Sequence, residues 1–194
     1  MPPKAKFTKE EIINAAFDIV RKNGLLSLTA RTLGAKLGSS ARPIFTVFTG
    51  MEEVIAEVKA CARKEYNKYI NVAFEQADDK PFKMVGYMFI KFAQDEPYLF
   101  RMLFMSDEFA SMDSNSVLPL IDSNYERIFT LVRDYYHTSI ENARILFEHL
   151  WIYSHGIASL CATKSCSFTD DEIKNMLSFV AQGLFMKLGI KVGN

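Results

Sequence analysis

At 194 residues the chain can bury one sizeable core and a smaller satellite unit, and a 49% hydrophobic content with 16 Phe excludes a disordered protein. No run approaches the roughly 18 apolar residues of a membrane span, and M-P-P-K-A-K lacks the apolar region of a secretory signal, so a cytoplasmic location is expected. The net charge of zero hides an asymmetry: residues 1–50 carry eight Lys/Arg against three acids, and the rest compensates with −5, a basic end on an acidic body that suits contact with phosphates at one end only. Taken alone, the same imbalance describes a solvated charged face.

Met1 to Lys6 reads either as a basic arm that adds phosphate or minor-groove contacts or as a frayed end. Thr8-x-x-Glu11 is a capping box, with Phe7 and Ile12 placed as a hydrophobic staple; Ile12, Ala16, Ile19 and Val20 share one face of the helix that follows, and Gly24 stops it.

Thr29 to Phe48, T-A-R-T-L-G-A-K-L-G-S-S-A-R-P-I-F-T-V-F, predicts two short helices, Thr29 to Leu37 and Ser40 to Phe48, around a Gly-Ser turn. Leu33 and Leu37 stand at i, i+4, Gly38 can end the first helix in the left-handed region, and Ser39 or Ser40 can cap the second, with Pro43 in its first turn. Ile44, Val47 and Phe48 then face inward. Ala41, Arg42, Phe45 and Thr46 are left on the outer, N-terminal side, which meets base edges when such a helix lies in a major groove. A buried helical hairpin with no nucleic-acid role has the same helix-Gly-helix pattern; turn, charge bias and position together favour DNA.

From about Ile12 to Val54 these residues resemble the tetracycline-repressor-like (TetR) transcriptional regulators: an apolar helix ending at Asn23-Gly24, a T-x-R-x-L-A-x-x-L-G element, and a short recognition helix ending in aromatic residues. Three departures from that pattern matter, with Phe45 for the usual Tyr, Val47 for the usual His and Met51 for a common phosphate-binding Lys. The resemblance implies DNA contacts at Thr29, Arg31, Ser39, Ser40, Ala41, Arg42, Pro43, Phe45 and Thr46. Within that set Arg42 and Thr46 would read bases, and Thr29, Arg31 and Ser40 would hold phosphates.

Thr49-x-x-Glu52 is placed to cap a long helix running to about Ala77 with Ile55, Val58, Ala62, Tyr66, Tyr69 and Ala73 as its stripe, a lever from the basic end into the body. Asp78-Asp79-Lys80-Pro81 breaks the chain, and Val85, Phe89 and Phe92 mark the next helix up to Asp95. Pro97 starts a shorter segment, Tyr98 to Met105, and Ser106 to Ser116 reads as a loop. Leu118, Ile121, Tyr125, Ile128, Val132 and Tyr135 alternate three and four, predicting one face buried throughout. The following helix, about Ile140 to Thr163, carries Trp151-x-x-x-His155-Gly156, which looks like the W-x-x-x-H-G signature of one TetR C-terminal subclass. Lys164 to Phe168 is a turn, and Thr169-x-x-Glu172 opens a last helix through Met176, Val180, Leu184 and Leu188. By resemblance, the last two helices pair with their copies in a homodimer through Trp151, His155, Gly156, Val180 and Leu184; completion of the monomer core is the alternative.

The expected fold is therefore all-α with about nine helices, a helix-turn-helix domain over 1–50 and a ligand-binding and dimerisation domain over 51–194. There is no P-loop, Rossmann glycine pattern or G-x-S-x-G, and Ser154 and His155 lie on different helix faces, so no enzyme and no cofactor are expected. His137, His149, His155, Cys161 and Cys166 lack the i, i+4 His pair of a helical zinc site, and Cys61, Cys161 and Cys166 read as thiols. Tyr66, Phe89, Phe92, Phe100, Met102, Phe104, Met105, Phe109, Tyr125, Phe129 and Tyr153 are core residues or the lining of an apolar pocket. By resemblance, that pocket holds a small effector, and the protein is a repressor on a palindromic operator in double-stranded DNA. A helical small-molecule-binding or enzymatic protein without DNA is the competing class, and it leaves Arg31, Arg42 and the basic end unexplained.

Overall fold

The computed structural model describes residues 6–75, 81–106 and 122–190. Among these, eight α-helices form and no strand: α1 (Lys9–Asn23), α2 (Ala30–Lys36), α3 (Met51–Glu75), α4 (Pro81–Asp95), α5 (Pro97–Phe104), α6 (Tyr125–Tyr135), α7 (Ile140–Ala162) and α8 (Asp170–Leu188), with 3-10 turns at Leu25–Ser27 and Ile44–Thr46. The expectations at Ala77, Asp78 to Lys80, Phe109, Leu118 and Ile121, and those on residues 1–5 and 107–116, lie outside the described residues.

Caps set most helix starts. Thr8 accepts from the Glu11 N–H at 3.1 Å while its own N–H donates to the Glu11 carboxylate at 2.8 Å, and Thr169 and Glu172 repeat the exchange at α8. Thr29 caps α2 with Thr32 as its reciprocal partner, and Ser139 caps α7. At α3 the expected Thr49–Glu52 pair is corrected: the Thr49 N–H and hydroxyl both donate to Glu53, one residue on, at 2.9 and 3.0 Å. The α3 stripe shifts in the same way. Val54 and Ile70 are fully buried, whereas Ile55 and Tyr69 are half-buried, so the buried row steps by four from Val54 through Val58, Ala62 and Tyr66 to Ile70.

At the centre lies α4, packed on α3, α5, α6, α7 and α8. Val85, Phe89 and Phe92 are buried as their spacing predicts, and Ile90 and Ala93 widen the stripe into a face broad enough for several neighbours. The face of α6 is buried at Ile128 and Val132 but not at its end, where Tyr135 is exposed and Tyr136 turns inward to meet the Phe185 ring of α8 at 4.8 Å, tilted by 48°.

Two links hold the basic end to the body. One is α3 itself, 25 residues and so about 37 Å long. The other was not visible in the sequence. Arg21 on α1 grips the buried Glu96 carboxylate with both Nε, at 2.8 and 3.0 Å, and Nη2. Beside this pair the chain turns at Gly24 with φ +82°, and a Cβ there would stand 3.0 Å from the Tyr98 ring, so glycine serves both the turn and the approach of α5. Arg21→Ala leaves a buried carboxylate unpaired. We expect a loss of about 2–3 kcal/mol in urea unfolding, below the roughly 3–5 kcal/mol of a fully buried pair because Arg21 keeps contact with solvent.

Candidate functional site

The expected second helix of the helix-turn-helix does not form as an α-helix. After α2, Gly38 takes φ +63° as predicted, but Ser40 to Phe48 is a run of turns whose one regular element is the 3-10 turn Ile44–Thr46. The bonding explains why. The Ile44 N–H donates to Ala41 O, that of Thr46 to Pro43 O and that of Val47 to Ile44 O, all one residue shorter than α-helical spacing. Pro43 has no N–H to give, and the Thr46 hydroxyl holds Pro43 O at 2.7 Å. Neither Ser39 nor Ser40 caps it, Ser39 Oγ instead accepting from Lys6 Nζ at 3.0 Å.

The inward set is as expected in kind, with Ile44 and Phe48 buried and Val47 half-buried. On the outer side Thr29, Arg31, Ser40, Arg42, Phe45 and Thr46 are exposed, and Ser39, Ala41 and Pro43 are half-buried. Arg31 and Arg42 have no ion-pair partner among the described residues, whereas Lys36 is tied to Asp18 at 3.4 Å and Lys9 to Glu57 at 2.5 Å. The two free guanidinium groups are therefore the ones able to meet phosphates or base edges.

The turn lies unusually close to α2. A Cβ on Gly34 would stand 2.8 Å from Ser40 C and 2.9 Å from Ala41 N, so only glycine lets the two backbones meet. The T-x-R-x-L-A-x-x-L-G pattern has alanine at this position. Local spacing offered no signal for this contact, which joins residues across the turn.

The second feature is a cavity of about 300 Å³ between α3, α4, α6, α7 and α8, walled by Phe89, Ile128, Leu150, Trp151, Tyr136 and Phe185 among others. Of the residues proposed for a pocket, Tyr66 and Phe89 line it. Phe92, Phe100 and Phe104 do not; they form the buried ring cluster behind Phe89, with Phe100 and Phe104 at 5.3 and 5.1 Å from it. Tyr125 and Phe129 stack on each other at 5.9 Å outside the lining, and Tyr153 is half-buried elsewhere on α7.

Two carboxylates are buried in the body. Glu96 is held by Arg21, and Asp122, at the cavity wall, accepts from the Tyr66 hydroxyl at 2.7 Å and the Asn124 N–H at 2.8 Å. Burial pushes the Asp122 carboxyl up, and the Tyr66 and Asn124 bonds oppose it; burial, then Asp122, pushes the Tyr66 phenol well up. The signal missed at Asp122 lies in its neighbours, since burial comes from Tyr66, 56 residues away.

The residues proposed for a dimer interface divide. Trp151 and His155 face into the body, stacked at 4.8 Å, and Val180 and Leu184 are half-buried against the core. Gly156 faces outward, and with it Ile152, Leu160, Phe179 and Met186, the last two 80% and 85% exposed. Cβ atoms at Gly156 and Gly183 would meet nothing within 4 Å, so α7 and α8 present a low apolar face. Cys61, Cys161 and Cys166 are free thiols, and no group of three His, Cys, Asp or Glu among the described residues could hold a metal ion. No helix of the described residues is long and apolar enough to cross a membrane.

The fold is similar to that of a solved regulator. The structure of fatty acid degradation regulator FadR from Bacillus halodurans superposes with a TM-score of 0.52 over 96% of this chain and 100% of that one, at 15% identity. No family model and no curated protein matches the chain. At this identity the likeness is one of fold.

Gly34→Ala should push the Ser40–Ala41 segment off α2 at a cost of about 1–3 kcal/mol, read from thermal unfolding. A pH effect is expected at His155, beside Trp151 in the ring cluster. Burial holds the His155 imidazole below its ordinary value of 6.5, so above that pH both states are neutral, and below it the unfolded chain takes up the proton first. Stability should fall as the pH drops below about 6.5, and His155→Phe should flatten that fall in urea midpoints measured from about pH 5 to 7.

Proposed function

We propose that the protein is a sequence-specific DNA-binding transcriptional regulator of the TetR type, a homodimer that releases DNA when a small, largely apolar ligand enters the cavity. One observation carries the proposal: Arg31 and Arg42 stand exposed and unpaired on the outer side of a two-element turn, at the basic end of a chain whose other end holds a walled cavity. The likeness in fold to a fatty acid degradation regulator supports the same reading. Residues 1–50 serve as the DNA-binding part and 51–194 as the ligand-binding and dimerisation part. The outward apolar face of α7 and α8, low at Gly156 and Gly183, is the surface for a second copy. Two-fold symmetry then demands a palindromic operator with half-sites one helical turn apart or a multiple of it.

Control follows from the links between the two parts. A ligand shifts DNA affinity only by its differential affinity for two arrangements, and α3 carries Tyr66 of the cavity wall on the same rod whose first turn adjoins the DNA-facing turn. The 3-10 geometry at Ile44–Thr46 is the one observation that favours a helical ligand-binding protein without DNA, since it shortens the element that would enter a groove.

Selection of DNA fragments by the full chain separates the two. We expect a palindromic site, and Arg42→Ala should weaken binding to it by about 1–3 kcal/mol and relax the preference at one position per half-site. Failure to enrich any sequence, or equal affinity of wild type and variant, would sink the readout assigned here.

A further inference from the structure

We propose that Phe45 is a specificity residue, its ring covering the C5-methyl group of a thymine in the major groove, beside the base met by Arg42. The inference rests on the reading of the turn after α2 as the DNA-binding element and adds a feature of the base sequence that it recognises.

The side chains of this turn sort with a period of three. The Ile44 N–H donates to Ala41 O, that of Thr46 to Pro43 O and that of Val47 to Ile44 O, and in such a 3-10 run residues i and i+3 stand one above the other. Ala41, Ile44 and Val47 make the row against the core, with Ile44 fully buried and the other two half-buried. Arg42 and Phe45 make the next row, and both are exposed. In an α-helix the same two residues would point about 60° apart. The tighter winding therefore sets an unpaired guanidinium and an aromatic ring side by side.

Phe45 also differs from the other phenylalanines of the basic end. Phe7, Phe17 and Phe48 pack on the core, and each carries a cation over its ring, Lys6 at 5.3 Å, Arg21 at 6.0 Å and Lys9 at 5.5 Å. Phe45 is 45% exposed and has no ring or cation partner among the described residues. One exposed apolar side chain is ordinary in itself, so its place beside Arg42 carries the argument. A phenyl ring has no donor for a phosphate oxygen and cannot fix the register on the backbone as a hydroxyl would. The apolar group that the major groove offers is the thymine methyl. The Thr46 hydroxyl gives its proton to Pro43 O at 2.7 Å, so from Arg42 to Thr46 the guanidinium supplies the free side-chain donors and Phe45 the large exposed apolar surface.

The test uses the full chain and the duplex enriched by selection, with each thymine in turn replaced by deoxyuridine, which lacks only the methyl group. One such replacement per half-site, adjacent to the position that Arg42→Ala relaxes, should weaken wild-type binding about fourfold, the worth of one buried methyl group. Phe45→Ala should bind the thymine and deoxyuridine duplexes equally, whereas Phe45→Leu, which keeps an apolar side chain, should still prefer thymine. The wild-type scan needs neither variant, so it stays decisive if one of them fails to fold. No deoxyuridine effect at any thymine, an effect only away from the Arg42 position, or an effect undiminished in Phe45→Ala would overturn the proposal. Weaker binding by Phe45→Ala with no deoxyuridine effect would place the ring on the sugar-phosphate backbone or between base steps, and overturns it as well. An enriched site without methyl dependence leaves the regulator reading standing, whereas failure to enrich any sequence would sink both.

Discussion

The body is organised around the ring of Phe89. It meets Tyr66 of α3 at 6.1 Å, Phe100 and Phe104 of α5 at 5.3 and 5.1 Å, and Trp151 and His155 of α7 at 6.3 and 6.1 Å, mostly edge-on or tilted as aromatic quadrupoles prefer. One side chain thereby joins α3, α5 and α7 to the central α4, and the same side chain forms part of the cavity wall. A close-packed interior transmits strain, so anything that displaces Phe89 is felt by the helices that share it. The cavity is a gap at the edge of the core, walled by the residues that hold the core together.

From that ring the chain reaches its basic end by two routes. α3 runs there directly. α5 is the shorter route, with Phe100 and Phe104 against Phe89 and the Glu96 carboxylate, just before its first residue, in the grip of Arg21. A buried carboxylate held by a bidentate guanidinium is directional in a way that apolar packing is not, because both N–H vectors must match both oxygens. The orientation of α1, and of the turn that follows α2, is set by that geometry together with the contact of Gly24 on Tyr98. A change at the cavity and a change at the turn after α2 would thus act on the same two helices, which is the physical requirement for coupling between them.

Thr29, Leu33, Gly38 and the inward Ile44 and Phe48 were legible, since caps, i, i+4 spacing and a left-handed stop are local properties. The conformation of Ser40 to Phe48 was not. A proline three residues past a serine reads as the first turn of a helix, yet here the Ser40 and Ala41 backbone packs directly on Gly34, and i→i+3 bonds predominate in the segment, with Phe48 N–H to Ile44 O the one of α-helical spacing. A one-residue error at Thr49, which bonds to Glu53 and not Glu52, has a similar origin, because both acids are within reach and the direction from which α3 leaves the turn selects between them.

The sequence by itself determined the all-α class, most described helix boundaries and the basic end, because periodicity, capping boxes and charge counts depend on residues within a few positions of one another. It did not place the start of α6 at Tyr125, where the periodicity carries the helix on from Leu118 through the non-helical residues 122–124. Only the tertiary structure decided which groups are brought together. His155 and Gly156 are adjacent, but successive residues on a helix point about 100° apart, so one enters the ring cluster and the other faces outward. Glu96 and Asp122 read as ordinary acids until Arg21 and Tyr66, distant in the chain, arrive to bury and bind them. The cavity exists in no segment, since its walls come from five helices whose packing directions are settled by the side chains they share with α4.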